Sequence, residues 1–192
     1  MIASLIVSLT ALLVFIAIGY KCLIIVDKNE QAVVERLAKF DRVIGEGVHL
    51  IIPFIEKLHG IEDPYNHKKF LNNGKISLEP DVISFPKDDR EFFGKDKARM
   101  KLKADIVYKI TDPYKAVYEA AYLFDALNQL FAGILQKRLI DADEGTNSAE
   151  CLRDLTRSII DIANEYAQNW GIKILEFNLK QITDGNGIRH NY

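Results

Sequence analysis

The chain has 192 residues, 48% of them hydrophobic and 27% charged, with a formal net charge of -2 at pH 7. That balance excludes a nucleic-acid-binding module built on basic excess, and the composition excludes a disordered, collagen-like or polytopic membrane protein. No Lys, Arg, Asp or Glu falls within the first twenty positions, so an apolar leader precedes a water-soluble remainder sized for one domain.

The run from Ile2 to Tyr20 is uncharged, and as a helix rising about 1.5 Å per residue it reaches roughly 29 Å, the thickness of a bilayer's hydrocarbon core. Ile2, Leu5, Leu9, Leu12, Leu13, Phe15, Ile16 and Tyr20 carry its apolar character. A cleaved signal peptide is the competing reading. It is disfavoured because no basic residue precedes the run and the run exceeds a typical signal core. Residues 1–26 are therefore read as an N-terminal single-pass membrane anchor. Lys21 and Lys28, both on its C-terminal flank, place the soluble domain on the cytoplasmic side. Cys22 and Cys151 form no CxxC pair. At the membrane boundary, Cys22 is either a candidate for lipidation or an apolar interfacial thiol.

Gln31–Leu37 reads as a strand, followed by a charged link and the turn Gly45-Glu46-Gly47. Val48–Ile52 is a short apolar strand halted by Pro53, which has no N–H to donate to a ladder. Lys57–Ile61 and Ile76–Phe85 are further strands, separated by Pro64 and the turn sequence Asn72-Asn73-Gly74. In Met100–Ile110 the residues Met100, Leu102, Ala104, Ile106, Tyr108 and Ile110 alternate with Lys101, Lys103, Asp105 and Lys109, which predicts one buried and one wet face. Asp112 then caps a short helix, Pro113–Ala121, with Pro113 at its first position. Leu127, Leu130, Phe131, Ile134 and Leu135 mark a helix over Phe124–Ile140. Asn147 and Glu150 have capping spacing for the next helix, which stops at Gly171. Within the final strand, Ile172–Ile182, the apolar phase slips between Ile174 and Leu175, which predicts a bulge or burial on both faces. Strands first, then helices, then a closing strand make an α+β fold.

Val26-Asp27-Lys28-Asn29-Glu30-Gln31-Ala32-Val33-Val34-Glu35-Arg36, running into Gly45-Glu46-Gly47-Val48-His49-Leu50-Ile51-Ile52-Pro53-Phe54-Ile55, resembles the opening of the stomatin/prohibitin/flotillin family, the Band 7 or SPFH domain. Lys103–Tyr118, with Thr111-Asp112-Pro113, is similar to that family's strand, "TDP" and following helix, and Trp170-Gly171-Ile172 to its entry into the last strand. The resemblance assigns structural roles to Glu30, Glu35, Arg36, Gly47, Pro53, Asp112, Pro113, Trp170 and Gly171, and places the SPFH domain at 27–182 and a short tail at 183–192. Ala38 stands where the family usually has Gly, and Gly45-Glu46-Gly47 where Pro-Gly is common. Members usually continue into a long coiled-coil helix. This chain reads as a short form without it, so that assembly rests on the domain faces or on a longer partner.

His49, His59, His67 and His190 lie in separate segments, with no metal-ligand spacing, and no nucleophile elbow or phosphate loop occurs. The sequence thus predicts no catalytic, cofactor-binding or metal site. Ile51-Ile52-Pro53-Phe54-Ile55 has two readings: dipping into the bilayer, by resemblance, or a core strand, by periodicity. The expectation is a membrane-anchored, non-enzymatic scaffold that binds membrane lipid and self-associates, or joins other SPFH proteins, without nucleic acid. A one-to-one adaptor or regulatory subunit of a membrane protease or channel is the alternative.

Overall fold

The computed structural model describes residues 6, 8–10, 19, 22–61, 74–94, 99–120, 122–141, 149–184 and 189–191. Of the predicted anchor, the described residues are Ile6, Ser8–Thr10, Gly19 and Cys22, which are helical, and Leu23–Val26; its other residues lie outside the described ones. Among the described residues no helix is long and apolar enough to cross a membrane. The Pro64 and Asn72-Asn73 turn and the Asn147 cap also lie outside them. The chain divides into two compact units, Met1–Ser77 and Leu78–Tyr192.

From Leu23 onward the described regular elements of the first unit are strands: β1 (Leu23–Val26), β2 (Glu30–Arg36), β3 (Lys39–Ile44), β4 (Gly47–Leu50), β5 (Glu56–His59) and β6 (Lys75–Ser77). β1 pairs antiparallel with β4, so part of the segment assigned to the anchor is strand. Strand β2 is the centre of the second sheet, with β3 on one edge and β5 and β6 sharing the other. Its Ala32, Val33 and Val34 are all buried, which is why the segment reads as a continuous apolar run rather than an alternation. Val26, Ala32, Val34, Ile44 and Ile51 form the core, with Ile24 and Leu58 packed against it. The stretch read as a charged link is β3. Its first three residues are exposed and only Ile44 is buried, so it shows little apolar periodicity.

The second unit has β7 (Asp81–Phe85), β8 (Phe92–Phe93), β9 (Arg99–Ile110), α1 (Pro113–Tyr118), α2 (Leu123–Asp141), α3 (Ala149–Ala167), β10 (Ile172–Asp184) and β11 (Arg189–Asn191). The single strand expected over Ile76–Phe85 is two, β6 and β7, one in each unit, broken around Pro80, whose nitrogen donates nothing to a ladder. β9 is central, antiparallel to β10 on one side and to β7 and β8 on the other. The expected bulge is present: the β10 register shifts between Ile174 and Glu176, and again between Leu179 and Gln181. β11, within the segment set apart as a tail, pairs with Gln181–Thr183. Leu102, Ala104, Ile106, Tyr108 and Ile110 of β9 are buried. Helix rings close over that face: Phe131 stacks on Phe177 at 5.5 Å and Phe124 meets Tyr108 edge-on at 6.1 Å. Asp112 caps α1, its carboxylate accepting the Lys115 N–H at 3.2 Å, with Pro113 at the first turn.

Candidate membrane-docking site

An antiparallel strand pair at a protein surface normally turns apolar residues inward and polar ones outward. The β1–β4 pair does not. Its register sets Leu23 opposite Leu50 and Ile25 opposite Val48, and all four side chains are more than half exposed. The alternate residues face the core, where Val26 is buried and Ile24 packs. Opposite Ile24, His49 is held by a 2.8 Å hydrogen bond between its Nε2 and the Gly45 carbonyl. Gly47, at φ +123°, starts β4 opposite Val26 in a backbone conformation that L side chains rarely adopt. β1 is therefore apolar on both faces, and only one of them meets a core.

Two turns present further apolar side chains. β2 and β3 are joined by the two-residue loop Leu37-Ala38, with φ of +52° and +60°. Such a loop normally takes Asn-Gly, because an L side chain in the left-handed region costs about 1–2 kcal/mol. Phe54, after Pro53, has φ +69°. Leu37 is 73% exposed and Phe54 95%. The Leu37 N–H donates to the Ile55 carbonyl at 2.9 Å, so the two turns sit side by side. Strained backbone is therefore used here to point large apolar side chains into solvent, and strain of this kind gathers at functional positions.

Glu56 holds this tip together. Its side chain is 2% exposed. Its carboxylate accepts a forked pair of hydrogen bonds from the Arg42 guanidinium, at 3.1 and 3.3 Å, and another from the Ile52 N–H at 3.0 Å. Arg36 adds an ion pair at 3.6 Å. The Arg42 hydrogen bonds, then the Ile52 N–H, hold the Glu56 carboxyl below the usual range, and Glu56 in turn raises Arg42. Arg42 also reaches the Leu50 carbonyl at 3.4 Å, which ties β3, the end of β4 and the Phe54 turn into one piece.

The other residues singled out from sequence have structural partners. Glu30 and Asp27 share Lys75, at 3.3 and 3.2 Å, and their two carboxylates outweigh burial to raise its ammonium pKa. Glu35 pairs with His59 at 3.1 Å. Trp170 is half-buried in a 3-10 turn (Gln168–Trp170) that Gly171 closes at φ +67°. The Gly171 carbonyl accepts the N–H groups of Thr111 and Asp112 and the Thr111 hydroxyl, at 2.8 to 3.0 Å. Half-buried Cys22 offers its carbonyl to the Ile51 N–H at 2.7 Å, joining the end of the leader to the end of β4. Among the described residues, no group of His, Cys, Asp and Glu is placed to hold a metal ion.

Ile51–Ile55 is not the core strand that periodicity suggests: it is a turn in which Ile51 is buried in the core, whereas Ile52, Phe54 and Ile55 face outward. Leu37 and the Glu56–Arg42 pair were missed. The signal for the ribbon was available, since Leu23-Ile24-Ile25-Val26 has no polar residue in either phase.

The model of the SPFH domain / Band 7 family matches residues 24–192. The chain is similar to an uncharacterized protein of Methanothermobacter thermautotrophicus, 26% identical over 179 residues (92% of this chain, 50% of that one). It is also similar to human mitochondrial stomatin-like protein 2, 26% identical over 159 residues (82% and 39%). An uncharacterized protein of Mycobacterium tuberculosis is 22% identical over 179 residues (92% and 42%). The chain thus spans half or less of the length of each of these relatives. An α+β chain matched from β1 to its last residue, with the resembling segments in the expected order, belongs to the SPFH domain / Band 7 family, whose members are typically membrane-associated scaffolds that commonly oligomerise.

Proposed function

We propose that this protein is a non-enzymatic scaffold seated on a bilayer at two levels. Ile2–Tyr20 spans the membrane, and the outward face of β1 and β4, with the Leu37 and Phe54 tip, lies in the interfacial layer of the same membrane. Copies confined in this way associate side by side, or with other SPFH proteins, and so organise the proteins and lipids around them. The single observation that carries the reading is the uncovered ribbon face of Leu23, Ile25, Val48 and Leu50, which begins within three residues of the apolar leader. Burying each such side chain is worth about 1.5–3 kcal/mol, enough in sum to lay a tethered domain onto lipid. Confinement to two dimensions raises effective concentration, so weak contacts between domains suffice for assembly.

The test is a tryptophan placed at the tip. In the full chain carrying Trp170→Phe and Phe54→Trp, reconstituted in vesicles, lipids brominated near the headgroup end of the acyl chain are expected to quench the new fluorophore strongly. Emission from the Phe54→Trp chain that stays water-like and unquenched would remove the membrane-docking part of the proposal.

A further inference from the structure

Among the described residues the second unit has helices on one face of its sheet and none on the other, and side chains satisfy several of its edge groups. The carboxamide of Asn164 in α3 binds both the N–H and the carbonyl of Ile174, at 2.8 and 3.0 Å, standing in for a neighbouring strand beside the β10 bulge. Gln136 in α2 does the same for Phe93 of β8, at 3.1 and 2.8 Å. On β7 the Val82 N–H is taken by its neighbour Asp81 at 2.8 Å, and Pro80 and Pro86 flank the strand. Edges blunted in this way resist strand addition. The faces are then the more available surfaces for contact.

The open face is cationic. The β9–β10 register brings Lys101, Lys103, Asp105, Val107 and Lys109 alongside Lys173, Glu176 and Asn178. Asp105 is already engaged by Lys180 at 2.5 Å and by the Ser84 hydroxyl at 3.3 Å. Lys109 and Lys173 stand directly opposite each other, an arrangement of like charges that destabilises a sheet unless counter-charge arrives. Among the described residues neither makes an ion pair. On the helix layer, Asp161 and Glu165 of α3 lie one turn apart, exposed, and they too make no ion pair among the described residues.

We infer that a second copy of this chain docks its α3 on this open sheet face, with Asp161 and Glu165 set against Lys109 and Lys173. The spacings agree: residues four apart on a helix have Cβ atoms about 5–6 Å apart, and residues opposed across antiparallel strands about 4.5–5.5 Å. Tyr166, next to Glu165 and half exposed, meets the Val82 and Val107 pair, an apolar island in the lysine field. Docking places helices over the bare face and completes a three-layer sandwich. The contact is head-to-tail, so each copy keeps one free face of each kind and assembly propagates as a ring or a row. Exposed ion pairs add little affinity and fix register instead. This inference rests on the self-association proposed above.

The test uses the full chain in phosphatidylcholine vesicles, with carbodiimide coupling and mixed isotope-labelled copies to mark links between chains. Amide links joining Lys109 or Lys173 of one copy to Asp161 or Glu165 of another are expected, in a ladder that runs past the dimer. Lys109→Glu with Lys173→Glu, or Asp161→Lys with Glu165→Lys, should each lower assembly at least about tenfold. All four changes together should restore it. Circular dichroism of each variant separates lost contact from lost folding. Assembly that ignores both reversals, a quadruple variant that stays dispersed although folded, or a ladder ending at the dimer would overturn this interface and leave the scaffold reading standing. An unmodified chain that never assembles would instead remove the scaffold reading beneath it.

Discussion

Glycine at 171 is required twice over. Its φ of +67° disfavours any L side chain, and a Cβ there would come within 2.3 Å of the Asp112 carbonyl oxygen. Neither the backbone turn nor that carbonyl is free to move, because the Gly171 carbonyl is bonded to Thr111 and Asp112 in return. Gly171→Ala is therefore expected to destabilise the protein by about 2–4 kcal/mol, read as a lowered denaturant midpoint. Gly45→Ala, where nothing lies within 4 Å, should stay within about 0.5 kcal/mol. Equal effects from the two would contradict the argument. Glu56 gives a pH signature with a defined sign. Its carboxyl is held below the ordinary value by Arg42 and the Ile52 N–H. Its contribution is thus complete above the unfolded carboxylate pKa of about 4.3 and fades as pH falls through the lower folded value. Glu56→Gln should accordingly be less stable than the parent at pH 7, with the gap closing below about pH 4. A gap that is constant with pH would mean that the charge on Glu56 does not hold the tip.

At the scale of elements, the two helix-borne carboxamides make the case most sharply. Asn164→Ala leaves the Ile174 N–H and carbonyl without their partner and is expected to cost about 1–3 kcal/mol. Asn164→Asp keeps the acceptor but turns a donor into a repulsive oxygen facing the Ile174 carbonyl, so it should rescue less than half of that loss. The phase slip between Ile174 and Leu175 announced the bulge, whereas the Asn164 side chain that closes it lies on another element and leaves no trace in periodicity. The same division runs through the whole chain. β9 was legible because Leu102, Ala104, Ile106, Tyr108 and Ile110 alternate with the mostly polar Lys103, Asp105, Val107 and Lys109, and α1 because Asp112-Pro113 is a local cap. β3 was missed because it is an edge strand that buries only Ile44, and β8 because two residues carry no period. In the candidate docking site, the apolar run of the leader and the ambiguity at Ile51–Ile55 were readable. The tip was not, since nothing in Leu37-Ala38 or Phe54 announces positive φ where Gly or Asn is the usual choice. Its organiser, Glu56, reads as one more charged residue until the fold brings Arg42 and Arg36 to it.

For the whole molecule, the proposed anchor, the ribbon and the lysine face make one quantitative demand, which is on mass. The proposed head-to-tail contact, built from two ion pairs and one aromatic insertion, is weak in free solution, and the proposed anchor supplies the concentration it needs. Gentle solubilisation that keeps a lipid patch around the protein should therefore give a discrete assembly of many subunits by light scattering corrected for lipid and detergent. Harsh detergent should give monomers. Raising salt from about 0.15 M to about 1 M shortens the screening length from about 8 Å to about 3 Å. The assembly in the lipid patch should loosen over that range, because its register is set by exposed charges while membrane attachment, being apolar, persists. The two responses separate the roles of the two units: salt addresses the sheet face of the second, and detergent the ribbon of the first. A monomer or dimer at every salt concentration within an intact lipid patch would point instead to a tethered adaptor that acts one-to-one on a membrane partner. The lysine face would then meet the acidic surface of that partner rather than a copy of this chain.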